Sequence, residues 1–227
     1  MKFNTKAVHK GQKPEELYGS VSLPIYQTST FRQNEIGEYT YDYSRAGNPT
    51  RTSLEENICS LENGKDAISF SSGLSAIASV IQLLSTGDHV ILTDNVYGGT
   101  FRLLDTIMKR YNIQQSWVDT SNVDNVVSAI NENTKLIFIE SPTNPMMTLS
   151  DIGKICEIAH KENILVAVDN TFMSPYFQRP IELGADLVVH STTKYLNGHS
   201  DVIGGIVITR DETLLEQLHF IQMSVGA

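Results

Sequence analysis

The chain has 227 residues, enough to bury a sizeable core in one or two domains. Its 26 acidic residues outweigh 17 basic ones, and the net charge of −9 argues against nucleic acid or an anionic membrane surface as partner. Hydrophobic residues at 41% and charged residues at 19% are ordinary for a globular protein, and no apolar run approaches the length of a membrane helix. No apolar stretch follows Met1 to Lys6, so no secretory signal is visible. Cys59 and Cys156 stand far apart and outside any CxxC pair, which points to free thiols in a reducing compartment and a cytoplasmic address. The histidines have no metal-ligand spacing, and no P-loop or GxSxG elbow is present.

Residues 1–55 are turn-rich and aromatic, with Pro14, Pro24 and Pro49 and tyrosines at 39, 41 and 43, and they read as an extended arm. Such an arm most often contacts a second subunit. Residues 56–227 read as one α/β domain, the alternation setting in near Arg51. Thr52 to Leu61 is a helix with Leu54, Ile58 and Leu61 on one face. Strands follow at Ala67 to Phe70, His89 to Thr93, Gln114 to Val118, Lys135 to Glu140, Leu165 to Asp169, Leu187 to His190 and Ile206 to Thr209. Between and after them, helices are predicted at Leu74 to Leu84, Thr100 to Arg110, Val123 to Ile130, Ile152 to Lys161 and Glu212 to Met223. Strand–helix alternation means crossover connections and a mostly parallel sheet covered on both faces.

The residues with chemistry to offer fall just past the carboxyl ends of these strands, where open α/β sheets bind ligands. Leu187 to His190 leads into Ser191, Thr192, Thr193 and Lys194. A lysine there suits a Schiff base with a phosphate-bearing aldehyde, and the hydroxyls of Ser191 and Thr193 suit phosphate oxygens. A lone lysine would ordinarily be a solvated surface residue; its company argues otherwise. Asp169 closes the strand before it, and a buried carboxylate there would hold the proton of a pyridoxal ring nitrogen. Earlier, Ser72, Gly73 and Leu74 lie where a strand turns into a helix whose first amides offer an anion site. Tyr97 and Asn144 follow two further strands.

The segments Tyr43-Ser44-Arg45-Ala46-Gly47-Asn48-Pro49-Thr50, Ser71-Ser72-Gly73, Glu140-Ser141-Pro142-Thr143-Asn144-Pro145, Val168-Asp169-Asn170-Thr171 and Ser191-Thr192-Thr193-Lys194-Tyr195, with Gly198-His199-Ser200-Asp201, span nearly the whole chain. In that order they resemble the pyridoxal-phosphate enzymes of transsulfuration. The resemblance implies fold type I, like the aspartate aminotransferases, and pyridoxal 5'-phosphate as cofactor. It gives Lys194 the covalent link and the proton shuttle, and lays the Tyr97 ring on the pyridine. Asn144 falls near the ring hydroxyl, and Tyr43 and Arg45 on the phosphate of a neighbouring subunit in a dimer of dimers. Arginine suits that task because its planar fork binds two oxygens at once. His199 and Asp201 match the pattern and are expected to pack behind the lysine loop.

The implied substrates are sulfur amino acids and the implied reaction is γ-elimination of cystathionine. γ-Replacement on an activated homoserine is the runner-up. Cystathionine β-elimination, methionine γ-elimination and O-acetylhomoserine sulfhydrylation stand further back. The family's C-terminal domain, whose arginine grips the substrate carboxylate, has no counterpart in the 227 residues. Two other classes fit parts of the pattern. An aminotransferase on the same fold is one, disfavoured by Tyr43-Ser44-Arg45; a cofactor-binding fragment without turnover is the other.

Overall fold

A computed structural model describes residues 1–227. Its single sheet has seven strands: β1 (Asp66–Phe70), β2 (His89–Thr93), β3 (Gln114–Val118), β4 (Thr134–Glu140), β5 (Leu165–Asp169), β6 (Leu187–Ser191) and β7 (Gly205–Thr209). They lie side by side in the order β1-β7-β6-β5-β4-β2-β3. β2 to β6 are mutually parallel, and β7 runs back antiparallel between β6 and β1. The carboxyl ends of β1, β2, β4, β5 and β6 therefore share one edge.

The helices are α1 (Phe3–His9), α2 (Pro49–Glu62), α3 (Gly73–Ile81), α4 (Gly98–Arg102), α5 (Val123–Ala129), α6 (Ile152–Lys161), α7 (Ser174–Phe177) and α8 (Glu212–Val225). They cover both faces, which is why the central strands are continuous apolar runs. Alternate residues divide between two layers: Leu92, Phe138 and Val189 pack with Ile77 of α3 and Leu218 of α8, whereas Ile91, Ile137 and Val168 pack with Ile155 of α6. A third cluster joins Ile58 and Leu61 of α2 to Val188 and Ile208. β1 is an edge strand, and Glu55 of α2 satisfies it, Oε1 accepting from both the N–H and the hydroxyl of Ser69 at 2.8 Å.

Local signals explain the helix starts. Asn48 caps α2 with Pro49 at its first position, and Ser72 and Ser75 form a reciprocal capping box on α3. The arm differs from the expectation in one respect: it begins with α1, held to α2 where Lys6 Nζ donates to the Ser60 carbonyl and to Asn63 Oδ1. Residues 10–48 have no further helix, only the isolated bridges Thr30–Tyr43 and Glu35–Glu38. The helix expected at Thr100 to Arg110 is α4 continued by a π turn at Leu103–Ile107 and a 3-10 turn at Met108–Tyr111, ended by Asn112 in the left-handed region. The short helical turns Ser174–Phe177 and Pro180–Leu183 have no counterpart in the sequence reading. No helix is long and apolar enough to cross a membrane.

Candidate active site

The loops beyond the five shared strand ends enclose a cavity of about 310 Å³. Ser72, Gly73, Leu74, Tyr97, Asn144, Asp169, Ser191, Thr193 and Lys194 all line it, so nine of the predicted residues meet in one place. Strand direction accounts for the convergence, because each residue follows a strand that ends on the same edge.

One wall is the start of α3. Ser72 Oγ accepts from the Ser75 N–H at 3.1 Å and Ser75 Oγ from the Ser72 N–H at 2.9 Å, which completes the cap and leaves the Gly73 and Leu74 amides without partners in the chain. Gly73 is required here: a Cβ on it would lie 2.6 Å from Ser191 Cβ, so a larger residue would push the end of β6 away. The Ser191 hydroxyl forms no bond within the chain and lies beside this wall. Thr193 is used differently from the expectation. Its Oγ1 donates to the Gly204 carbonyl at 3.2 Å and accepts the Gly204 N–H at 3.1 Å, which ties the lysine loop to the segment entering β7. Lys194 is exposed toward the cavity.

A second wall is carboxylate. Asp169 is 8% exposed at the end of β5. Its Oδ1 accepts from the Thr171 N–H at 3.0 Å and the Thr171 hydroxyl at 2.5 Å, and the same hydroxyl accepts the Ser191 N–H at 2.9 Å. Oδ2 meets no donor from the protein. Burial pushes the Asp169 carboxyl above its ordinary value, against the pull of the Thr171 bonds and the charge of His190. Behind it, His190 Nε2 lies 2.6 Å from Glu62 Oε1, which also accepts from Asn170 Nδ2 at 2.9 Å; all three residues are fully buried. Glu62 ends α2, so this pair locks the helix following the arm onto the ends of β5 and β6.

The Tyr97 ring is seated on Gly99, where a Cβ would come within 2.3 Å of ring atom Cε1. Asn144 stands between the cis peptides Ser141–Pro142 and Asn144–Pro145. Sequence reasoning missed Glu140, Thr171, Phe172, Pro142 and Ile203, which also line the cavity. Glu140 carried a readable signal, since it closes an apolar strand as Asp169 does. Phe172 and Ile203 carried none. His199 and Asp201 bond only within their exposed loop, to the Asn197 carbonyl and side chain.

Tyr43 and Arg45 are not in this cavity. Arg45 lies over the Tyr43 ring at 5.4 Å and donates to the Met223 carbonyl near the end of α8. Arg51 holds their turn rigid by donating to the carbonyls of Ser44, Arg45 and Ala46.

A lysine beyond β6, a half-bonded acid at the end of β5 and a bare helix N-terminus after β1 are the groups that a pyridoxal-phosphate site on a fold type I sheet calls for. Residues 4–227 match the family described as Cys/Met metabolism PLP-dependent enzyme, and the chain belongs to that family of enzymes. It is 51% identical over 227 residues to cystathionine gamma-lyase of Bacillus subtilis (strain 168), covering 100% of this chain and 60% of that protein. Over 226 residues it is 50% identical to cystathionine beta-lyase of Lactococcus lactis subsp. cremoris (strain MG1363), covering 99% and 60%. The crystal structure of cystathionine gamma-lyase from Lactobacillus plantarum complexed with L-serine superimposes with a TM-score of 0.98 at 46% identity, covering 100% of this chain and 59% of that one. The chain thus spans about 60% of the length of the curated relatives it matches.

Pyridoxal phosphate suits the residues present. The cavity offers an amine for its aldehyde, two unpartnered amides and a free hydroxyl for its phosphate, and a carboxylate oxygen without a donor for its ring N–H.

Proposed function

We propose that the protein is a carbon–sulfur lyase that splits L-cystathionine by γ-elimination, with water, into cysteine, 2-oxobutanoate and ammonia. The observation that carries this reading is the meeting of Lys194 and Asp169 in one cavity with the Ser72–Leu74 turn. The wording from Thr193 to Asp201 favours a γ-acting member. Nearly equal identity to a β-lyase, 50% against 51%, supports β-elimination as a second reading, and γ-replacement on an activated homoserine is a third.

Bound pyridoxal phosphate would draw electrons out of the bonds at the amino acid's α-carbon. The remaining work belongs to the chain. Lys194 anchors the cofactor's aldehyde and, once its amine is free, carries protons at Cα and Cβ of the substrate. Asp169 keeps a proton on the ring nitrogen, and Thr171 holds its carboxylate in place. Gly73, Leu74 and Ser191 bind phosphate, with Ser72 fixing the turn and Thr193 the lysine loop. Tyr97 would stack on the cofactor's ring and Asn144 would serve its ring hydroxyl. Pro142, Phe172 and Ile203 add apolar lining to that pocket.

The test is the keto acid released from L-cystathionine by the full-length protein. We expect 2-oxobutanoate with cysteine. Pyruvate with homocysteine would replace this reading by β-elimination, and consumption of an acylated homoserine with cysteine would replace it by γ-replacement.

The arm has no core of its own, and its rigid Tyr43–Arg45 turn lies outside the Lys194 cavity, so we assign both residues to the cofactor phosphate of a neighbouring subunit. An Arg45→Ala chain and a Lys194→Ala chain, each inactive alone, should regain activity when mixed. Mixed dimers would hold one site with both groups intact. No recovery despite proven subunit exchange would sink the assignment.

A further inference from the structure

We propose that Glu140 is a positioning residue for this cavity: its carboxylate clamps the loop carrying Tyr97 to the loop carrying Asn144, so that both side chains face one ligand in fixed register. The inference rests on the reading of the cavity as the cofactor site.

The pairing of β2 with β4 ends at Leu92 and Phe138. Tyr97 and Asn144 lie beyond it, on loops that no ladder joins. Glu140 supplies the join. Its own N–H donates to Thr93 Oγ1 at 3.3 Å, at the end of β2. Its Oε2 accepts the Tyr97 N–H at 2.8 Å and its Oε1 the Asn144 N–H at 2.7 Å. One oxygen serves each loop, and neither amide has another partner in the chain.

Ordinary capping does not require this placement. At two exposed turns, by contrast, a loop amide is capped by an exposed neighbour two residues away, Asp119 on Ser121 and Asn122 on Asp124. Glu140 is instead 4% exposed, lines the cavity and pairs across the sheet with Asp169. Burial first, then the charge of Asp169, pushes its carboxyl up to about 7, against the pull of the two N–H bonds from Tyr97 and Asn144. A carboxylate presents an acceptor to both loops, whereas an amide presents one acceptor and turns its NH₂ toward the second N–H.

Hydrogen exchange of the cofactor-free, full-length protein reads the clamp. Affinity for pyridoxal phosphate and the visible circular dichroism of the bound cofactor read its consequence. In Glu140→Gln we expect exchange to quicken by about 10-fold in the loop segment that faces the new NH₂ group, the scale of one lost charge-assisted hydrogen bond, with the other loop less affected and β1 and α8 unchanged. Cofactor affinity should fall by a similar factor and the dichroism should change. Glu140→Asp keeps two acceptors on a shorter stem and should fall between Gln and wild type. Exchange unchanged in both loops, or quickened evenly across the chain, overturns the clamp. Loosened loops with unchanged affinity and dichroism overturn the positioning role. Failure of the wild-type protein to bind pyridoxal phosphate overturns the cofactor reading itself, a separate result because it shows before any substitution.

Discussion

Lys194→Ala is expected to abolish both the visible absorbance of lysine-bound pyridoxal phosphate and turnover of the substrate. Lys194 is the one lysine lining the cavity. Others are committed elsewhere, Lys6 to Ser60 and Asn63, Lys65 to Glu212 and Lys161 to Glu157. Alanine removes two functions at once, the covalent anchor and the proton carrier. Proton transfer alone is worth roughly 10²–10⁴-fold, so with the anchor gone a residual rate below about 10⁻⁴ of wild type is expected. Borohydride reduction followed by peptide mass spectrometry is the check. An undiminished reduced adduct in the variant would place the anchoring amine on another residue.

Asp169→Asn should cost roughly 10²-fold or more in turnover, the scale of losing one charge-assisted contact that matters in the transition state. The same change should stabilise the cofactor-free protein at neutral pH and above. Asparagine Oδ1 can keep both Thr171 bonds, and its Nδ2 takes the place of an oxygen that meets no donor. The folded-state pKa of Asp169 lies above its ordinary 3.8 because the carboxyl is buried. Its contribution to stability is therefore complete below 3.8 and is lost as pH rises through the raised folded value. Asparagine does not titrate, so its stability advantage over wild type should widen across that window and then level off. Urea unfolding of both proteins at pH 5 and pH 8 measures this, beside steady-state rates. Near wild-type turnover, or an advantage that does not change with pH, would reduce Asp169 to a turn residue.

Much of this architecture could be read from the chain. Strands β2, β3 and β5 have the predicted bounds; in β2 and β5 the apolar runs are buried on both faces and leave little room for another conformation. Helix α6 likewise begins and ends as expected, its apolar face set by Ile152, Ile155 and Ala159. The cavity residues were legible because strand ends and hydroxyl, acidic or basic residues coincide at Ser72, Asp169 and Lys194. What could not be read depends on distant partners. Helix α1 is held by Ser60 and Asn63, residues more than fifty positions away. The role of Glu140 depends on two loops that meet only after folding, and Thr193 turns to Gly204 for the same reason. Nor does alternation of strands and helices reveal that β7 inserts between β6 and β1.

That insertion sets an order of events on the ribosome. Asp66, in the first strand of this sheet to be made, has its partner in Thr209, in the seventh. At ordinary rates of synthesis the wait is on the order of ten seconds. Meanwhile Ala67, Ile68 and Phe70 have no edge to join, the kind of exposed strand that holding chaperones protect. The turn at Ser72 comes to rest against Gly205, where even a Cβ would lie 2.1 Å from the Ser72 carbonyl oxygen, so its seat exists only once β7 has arrived. The anion-holding turn, made early, thus gains its seat only after Lys194 has been added, eleven residues before Gly205.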